Sequence, residues 1–216
     1  MATVVNEQVG AATDDIRCRW DGSAWGVSTT YIYIGYISST GYKSGGGFRF
    51  QTVAVPNAAT IITAYMTFQQ VWDDYLVTTV NTKITGQLGD SAAFSDLADY
   101  QARRGTVVGG ANDNNITSAQ VAWDNIPGWA AESVNNSPEI KTVVQEIVDG
   151  TWANNDDMTL FWDDHDDRST HIDYCVRYPY WYDHTTAKAA KLYIEYEVVT
   201  GACVQTVASH QSAMRR

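Results

Sequence analysis

The stretch Leu192-Tyr193-Ile194-Glu195-Tyr196-Glu197-Val198 decides the reading of this chain. Leu192, Ile194, Tyr196 and Val198 fall on one side of an extended backbone, and Glu195 and Glu197 fall on the other. An apolar side and a charged side repeating every second residue mark a strand with one face buried. Working outward, Thr60 to Phe68 is rich in β-branched and aromatic residues, and Val77 to Thr85 and Asp157 to Trp162 read the same way. Tyr31-Ile32-Tyr33-Ile34 reads as a short strand ending at Gly35. Phe48, Phe50 and Thr52 alternate with Arg49 and Gln51, after Gly45-Gly46-Gly47, which reads as a flexible link.

One segment reads clearly as helix, over about residues 138–149. Ser137 suits the N-cap, Pro138 the first helical position, and Glu139 the positive end of the dipole. Ile140, Val143, Val144, Ile147 and Val148 recur at three-and-four spacing until Gly150. A weaker helical turn is expected in Ser95 to Arg103, with Leu97 and Tyr100 on one side. Many strands and so little helix predict an all-β chain: an antiparallel, jelly-roll-like β-sandwich, not βαβ units. Residues 1–200 read as a single sandwich domain, and Gly201 to Arg216 as a polar C-terminal tail.

Composition bounds the function. The chain has 216 residues and a formal net charge of −11, with 13 Tyr, 8 Trp and 5 Phe. Its length suits one large domain. So acidic a chain is a poor partner for nucleic acid and for anionic membrane surfaces. No apolar run reaches the roughly 18 residues of a membrane helix. Met1-Ala2-Thr3-Val4-Val5-Asn6-Glu7 has neither the basic nor the apolar region of a secretory signal peptide, so none is expected here. Cys18, Cys175 and Cys203 show no C-x-x-C spacing. They read as buried thiols, with a Cys18–Cys175 or Cys175–Cys203 bridge left open.

Several segments, in order, resemble a known family. Phe48-Arg49-Phe50 is followed by Val55-Pro56-Asn57-Ala58-Ala59-Thr60-Ile61. Ile84-Thr85-Gly86 and Asp90-Ser91-Ala92-Ala93-Phe94-Ser95 come next, then Arg103-Arg104-Gly105-Thr106. Val121-Ala122-Trp123-Asp124-Asn125-Ile126-Pro127-Gly128-Trp129 and Ser137-Pro138-Glu139-Ile140 precede Tyr182-Asp183-His184 and Ala190 to Tyr196. Together they resemble a β-sandwich of the carbohydrate-binding-module type, related to the DNRLRE domains, over about residues 48–197. The resemblance implies a non-catalytic sandwich that binds glycans or assembles surfaces on bacteria and their viruses. The first forty residues, the Asp163–Asp167 insertion and the tail depart from the family's pattern.

Two features carry candidate chemistry. Asp163, Asp164, Asp166 and Asp167 flank His165, with His171 beyond. If these carboxylates converge, calcium would relieve their repulsion; His165 and His171 could add a transition-metal site. The alternative is a solvated loop tip that blunts aggregation. Neighbouring aspartates do not demand the spacing of a glycosidase pair, and no G-x-S-x-G, H-E-x-x-H or Cys/His signature is present. No catalytic residue and no enzyme activity is therefore expected. The second feature is aromatic. Trp123, Trp129 and Trp152 read as core. Trp20, Trp25, Trp72, Tyr75, Tyr178, Tyr180, Trp181 and Tyr182 sit among polar residues near turns and read as exposed rings for a glycan or a protein interface.

The expected function follows. The chain reads as a non-catalytic structural protein, a virion decoration or fibre-associated protein, that assembles with other protein subunits through its surface and termini. The alternative is a glycan-binding module of a secreted or cell-surface protein, and the weakest a polysaccharide hydrolase. A virion-surface or extracellular location is expected, without nucleic acid, membrane or cofactor beyond the possible calcium.

Overall fold

The computed structural model describes residues 1–20, 23–28, 32–38, 42–74, 79–104 and 115–198. Among them are twelve strands: β1 (Thr3–Gln8), β2 (Asp15–Trp20), β3 (Trp25–Ser28), β4 (Ile34–Ser38), β5 (Tyr42–Phe50), β6 (Thr60–Gln69), β7 (Val80–Gly86), β8 (Val121–Ile126), β9 (Val134–Asn136), β10 (Met158–Asp163), β11 (Cys175–Arg177) and β12 (Lys191–Glu197). Two helices join them, α1 (Leu97–Arg104) and α2 (Lys141–Asp149). The chain is all-β, and every named strand pair is antiparallel.

The strands form two sheets. The smaller runs β1-β12-β6-β9, and the larger runs β11-β4-β5-β10-β7-β8, with β2 and β3 attached through β5. Their inner faces meet in one apolar core. The alternation in β12 decides its side of that core: Leu192, Ile194 and Tyr196 are buried, and Tyr193 and Glu195 turn outward. Phe48, Phe68, Trp123, Trp129 and Trp162 fill the centre, with Trp123 stacked on Trp162 at 4.7 Å. The one polar atom of Trp162, Nε1, donates to Thr82 Oγ1 at 2.8 Å, so the ring is buried without an orphaned donor. Trp152 likewise donates to the Val55 carbonyl at 2.8 Å. The three tryptophans expected in the core are there.

Helix α2 lays Val143, Val144, Ile147 and Val148 against this core, as its spacing predicts. Its start differs from the expectation. The cap position is Ile140, without a side-chain cap. Ser137 Oγ instead accepts from Met66 N at 3.0 Å, and Glu139 accepts from the backbone of Ala64 and Lys141. Both residues bind β6, and Glu139 also holds the first amide of the helix. The weak turn at Ser95–Arg103 is a second helix, α1.

The glycines depart from the expectation. Gly45, Gly46 and Gly47 are buried within β5, not a flexible link. A Cβ on Gly45 would lie 2.0 Å from Asp163 Cβ. Gly35 does not end a strand either; it sits inside β4 at φ +120, where a Cβ would meet the Cys175 carbonyl at 2.5 Å. Both positions need glycine because a neighbouring strand approaches closely. Cys18 and Cys175 are buried and not bridged to each other; the Cys175 thiol donates to the Thr79 carbonyl. Tyr31, Val77, Cys203 and the tail from Gly201 lie outside the described residues.

Candidate binding surfaces

The acidic segment begins where β10 ends, and the structure takes its carboxylates apart. Asp163 is the last residue of β10 and is 2% exposed. Arg104, the last residue of α1, reaches it with Nε at 2.5 Å and Nη2 at 3.1 Å. Burial alone would raise the Asp163 carboxyl, but the guanidinium outweighs it and holds the group down at about 2. Asp164 is also buried and accepts from Arg168 N at 2.7 Å and Ser169 N at 3.2 Å, closing the loop on itself. Asp166 pairs with Lys83, and Asp167 lies 2.8 Å from His171. Among the described residues, no three His, Cys, Asp or Glu side chains are gathered to hold an ion. The segment is therefore not a solvated loop tip, because its first three residues are inside the protein.

Those residues lie under a cover. α1 and Phe94 lie over the outward face of the larger sheet, forming a second apolar cluster of Ile16, Cys18, Phe94, Tyr100 and Phe161. His165 is buried beside it, with Nε2 3.2 Å from the Cys18 carbonyl and the Trp25 ring edge-on at 4.9 Å. The outward face of this sheet is thus largely filled from within the chain. Burial pushes the Cys18 thiol up to about 12, so it stays protonated at neutral pH and is a poor nucleophile.

The rings expected to be exposed divide. Trp20 and Trp25 face each other across the β2–β3 pair at 5.5 Å, both partly buried. Trp72 is 42% exposed, with its ring perpendicular to Tyr178 at 5.3 Å. Tyr178 in turn meets Tyr33 at 6.2 Å, and the Arg17 guanidinium lies 4.3 Å over Tyr33. A row of one cation and three rings therefore ends at Trp72. Tyr180 and Trp181 are not exposed; both belong to the core between the sheets. The Tyr180 hydroxyl donates to Glu132 at 2.6 Å. Tyr182 is half-buried against the core, and its backbone donates to Asp15. Tyr75 lies outside the described residues. A run of five residues as aromatic as Tyr178–Tyr182 reads as a surface patch locally, but the close of the sandwich buries its middle.

Among the described residues, an open surface lies on the other sheet. Strand alternation sends Tyr65 of β6 and Tyr193 of β12 outward, and the register places them directly opposite each other. Their rings stack at 4.8 Å with planes 10° apart. Asn6 of β1 continues the row beside Tyr193. A groove of about 310 Å³ runs over these rings, lined also by Gln8, Thr67 and Lys191. Val4, Ile62 and Val134 are exposed on the same sheet, Val134 at 64%. The sequence reading did not single out this pair. The signal was present, since Tyr193 belongs to the same outward set as Glu195 and Glu197. A second groove of about 300 Å³, between Arg19, Tyr42, Asp173 and Tyr174, lies elsewhere on the surface.

No helix among the described residues is long and apolar enough to cross a membrane. No family model matches the chain, and no curated protein matches it.

Proposed function

We propose that the protein is a non-catalytic surface protein, a virion decoration or fibre-associated protein, that works by laying the outer face of its smaller sheet against other protein subunits. One contrast carries this reading. Among the described residues, α1 and Phe94 lie over part of the outer face of the larger sheet, whereas no element lies over the outer face of the smaller sheet, which bears Val4, Val134, Tyr65 and Tyr193. Uncovered apolar and aromatic residues on an otherwise polar sheet suit a contact surface. The segment order that resembles carbohydrate-binding modules and DNRLRE domains supports the same reading. Density-gradient fractionation of the source culture, followed with an antibody to this chain, tests it. Co-migration with virus-sized particles is expected; recovery solely in the soluble fraction overturns it.

A second reading, a glycan-binding module, is favoured by the Tyr65–Tyr193 groove. Its rings give flat apolar faces, while Asn6, Gln8 and Lys191 place hydrogen-bonding groups at its rim. Affinity electrophoresis through gels containing soluble polysaccharide tests this reading. Retardation that is lost in Tyr193→Ala supports it, and equal mobility with and without polysaccharide sinks it.

A further inference from the structure

The edges of the two sheets are unequally protected. An edge strand exposes a row of unpaired N–H and C=O groups, and proteins usually blunt it with a short strand, a bulge, a proline or a charge. β9 and β11 have three residues each, and β3 has four. β8 has six, but it carries a left-handed Asn125 (φ 54), a bulge against β7 and a following Pro127. β1 is also six residues long, in unbroken register with β12, and has no proline or bulge; its one charge, Glu7, stands opposite Leu192 on the inner side of the sheet and not on the outer face. Among the described residues, no strand pairs with its other side.

The ladder fixes which groups that side presents. Val9 N donates to the Ala190 carbonyl at 3.0 Å. Hydrogen-bonded pairs alternate along an antiparallel ladder, so Thr3, Val5 and Glu7 turn their amides and carbonyls toward β12. Val4, Asn6 and Gln8 turn theirs toward the open edge. Their side chains all lie on the outer face and all are uncharged.

We propose that β1 is a dimerisation strand: two copies of this chain pair β1 against β1, antiparallel, about a twofold axis through Asn6. The two smaller sheets then join edge to edge. This register sets Asn6 opposite Asn6, and Val4 opposite Gln8 of the second copy. It uses all three outward-turned residues and makes about six main-chain hydrogen bonds between copies. Shifting it by one step either way loses bonds, and one of the two shifts sets Glu7 against Glu7. Charge selects the same register. On β12, Glu195 neighbours Val4 and Lys191 neighbours Gln8. Each outer row across the join then carries Glu195 from one copy and Lys191 from the other. The Asn6 carboxamide, both donor and acceptor, is its own complement at the axis. The contact is thus uncharged at its centre and of opposite sign at its flanks, in a chain whose net charge of −11 would otherwise oppose self-association.

The inference rests on the assembly reading only in naming one of the subunits, and its test is separate. Sedimentation velocity of the full chain over a wide concentration range is expected to show a monomer–dimer equilibrium. Asn6→Pro removes an edge amide that no internal strand uses, and Val4→Lys puts a charge on the join. Each is expected to raise the dimer dissociation constant at least tenfold with the melting temperature nearly unchanged. If Asn6→Pro does not fold, Val4→Lys alone carries the comparison. Asn6→Cys is expected to form a disulfide dimer under mild oxidation and Val4→Cys is not, since Val4 and its copy stand roughly 14 Å apart along the strands. Amide exchange at Val4, Asn6 and Gln8 is expected to slow as concentration rises. A chain that stays monomeric at every concentration overturns the inference, even if it co-migrates with particles. So does a dimer that Val4→Lys leaves intact. Edge protection that appears only with a different protein, and never with concentration, also overturns it.

Discussion

Arg104 and Asp163 form a two-point ion pair, Nε to Oδ2 at 2.5 Å and Nη2 to Oδ1 at 3.1 Å, and this pair pins the end of α1 to the end of β10. Both side chains are largely buried. Removing one partner leaves a charge stranded away from water, which costs roughly 3–5 kcal/mol, whereas removing both costs far less. Arg104→Met is therefore expected to lower stability by about that amount in urea denaturation. Arg104→Met combined with Asp163→Leu is expected to recover most of the loss. Additive losses in the double variant would show that the pair is not the fastener of α1.

Asp15 gives a pH dependence with a definite sign. It is 1% exposed; burial raises its carboxyl to about 7, although Tyr182 N donates to it. A carboxyl raised in the folded state holds a proton that the unfolded chain has already released. Stability is thus lost as pH rises from the ordinary value of 3.8 through about 7. Asp15→Asn keeps an acceptor for Tyr182 and cannot ionise. Its melting temperature is expected to exceed that of the wild type at pH 8 and to match it near pH 4. An equal gain at both values would refute the assignment.

The Asp163 carboxyl, held down to about 2, acts in the opposite direction. Its contribution is complete above 3.8 and is lost as pH falls from there toward 2. Asp163→Asn is expected to be destabilised at pH 6 and to lose less further stability than the wild type between pH 4 and 2. Parallel acid-unfolding curves for the two proteins would contradict this.

Gly45 has no room for a methyl group. Its Cβ would come within 2.6 Å of Asp163 Cα, so β5 and β10 would have to part. Gly45→Ala is expected to cost about 3 kcal/mol or more, or to prevent folding. Gly26 has nothing within 4 Å of its added Cβ. Gly26→Ala is expected to stay within about 0.5 kcal/mol of the wild type. Thermal melts of the two variants make the comparison.

The carboxylates of Asp163, Asp164, Asp166 and Asp167 are each taken up by a different partner. Calcium is therefore expected to leave the melting temperature where a chelator leaves it. A calcium-dependent rise would mean that the loop regroups around an ion, since a ligand of the native state alone must stabilise it.

The sequence by itself determined the all-β class, the strands β6, β7, β10 and β12, the helix α2 and most of the core that these build. Alternation in Leu192–Glu197 and three-and-four spacing in Ile140–Val148 are local patterns, and the folded chain keeps both. It also determined that Tyr193 points away from the core. Only the tertiary structure decided what each polar or aromatic residue meets. Asp163 is buried because Arg104 arrives from 59 residues away. The glycines of β5 lie in a strand because the chain returns as β10 beside them. Tyr180 and Trp181 went to the core, while Tyr65 and Tyr193 came together on the open face, because sheet closure and register join residues far apart in sequence. Periodicity records which way a side chain points; its neighbour, and with it its charge state and exposure, is set by contacts that local spacing does not encode.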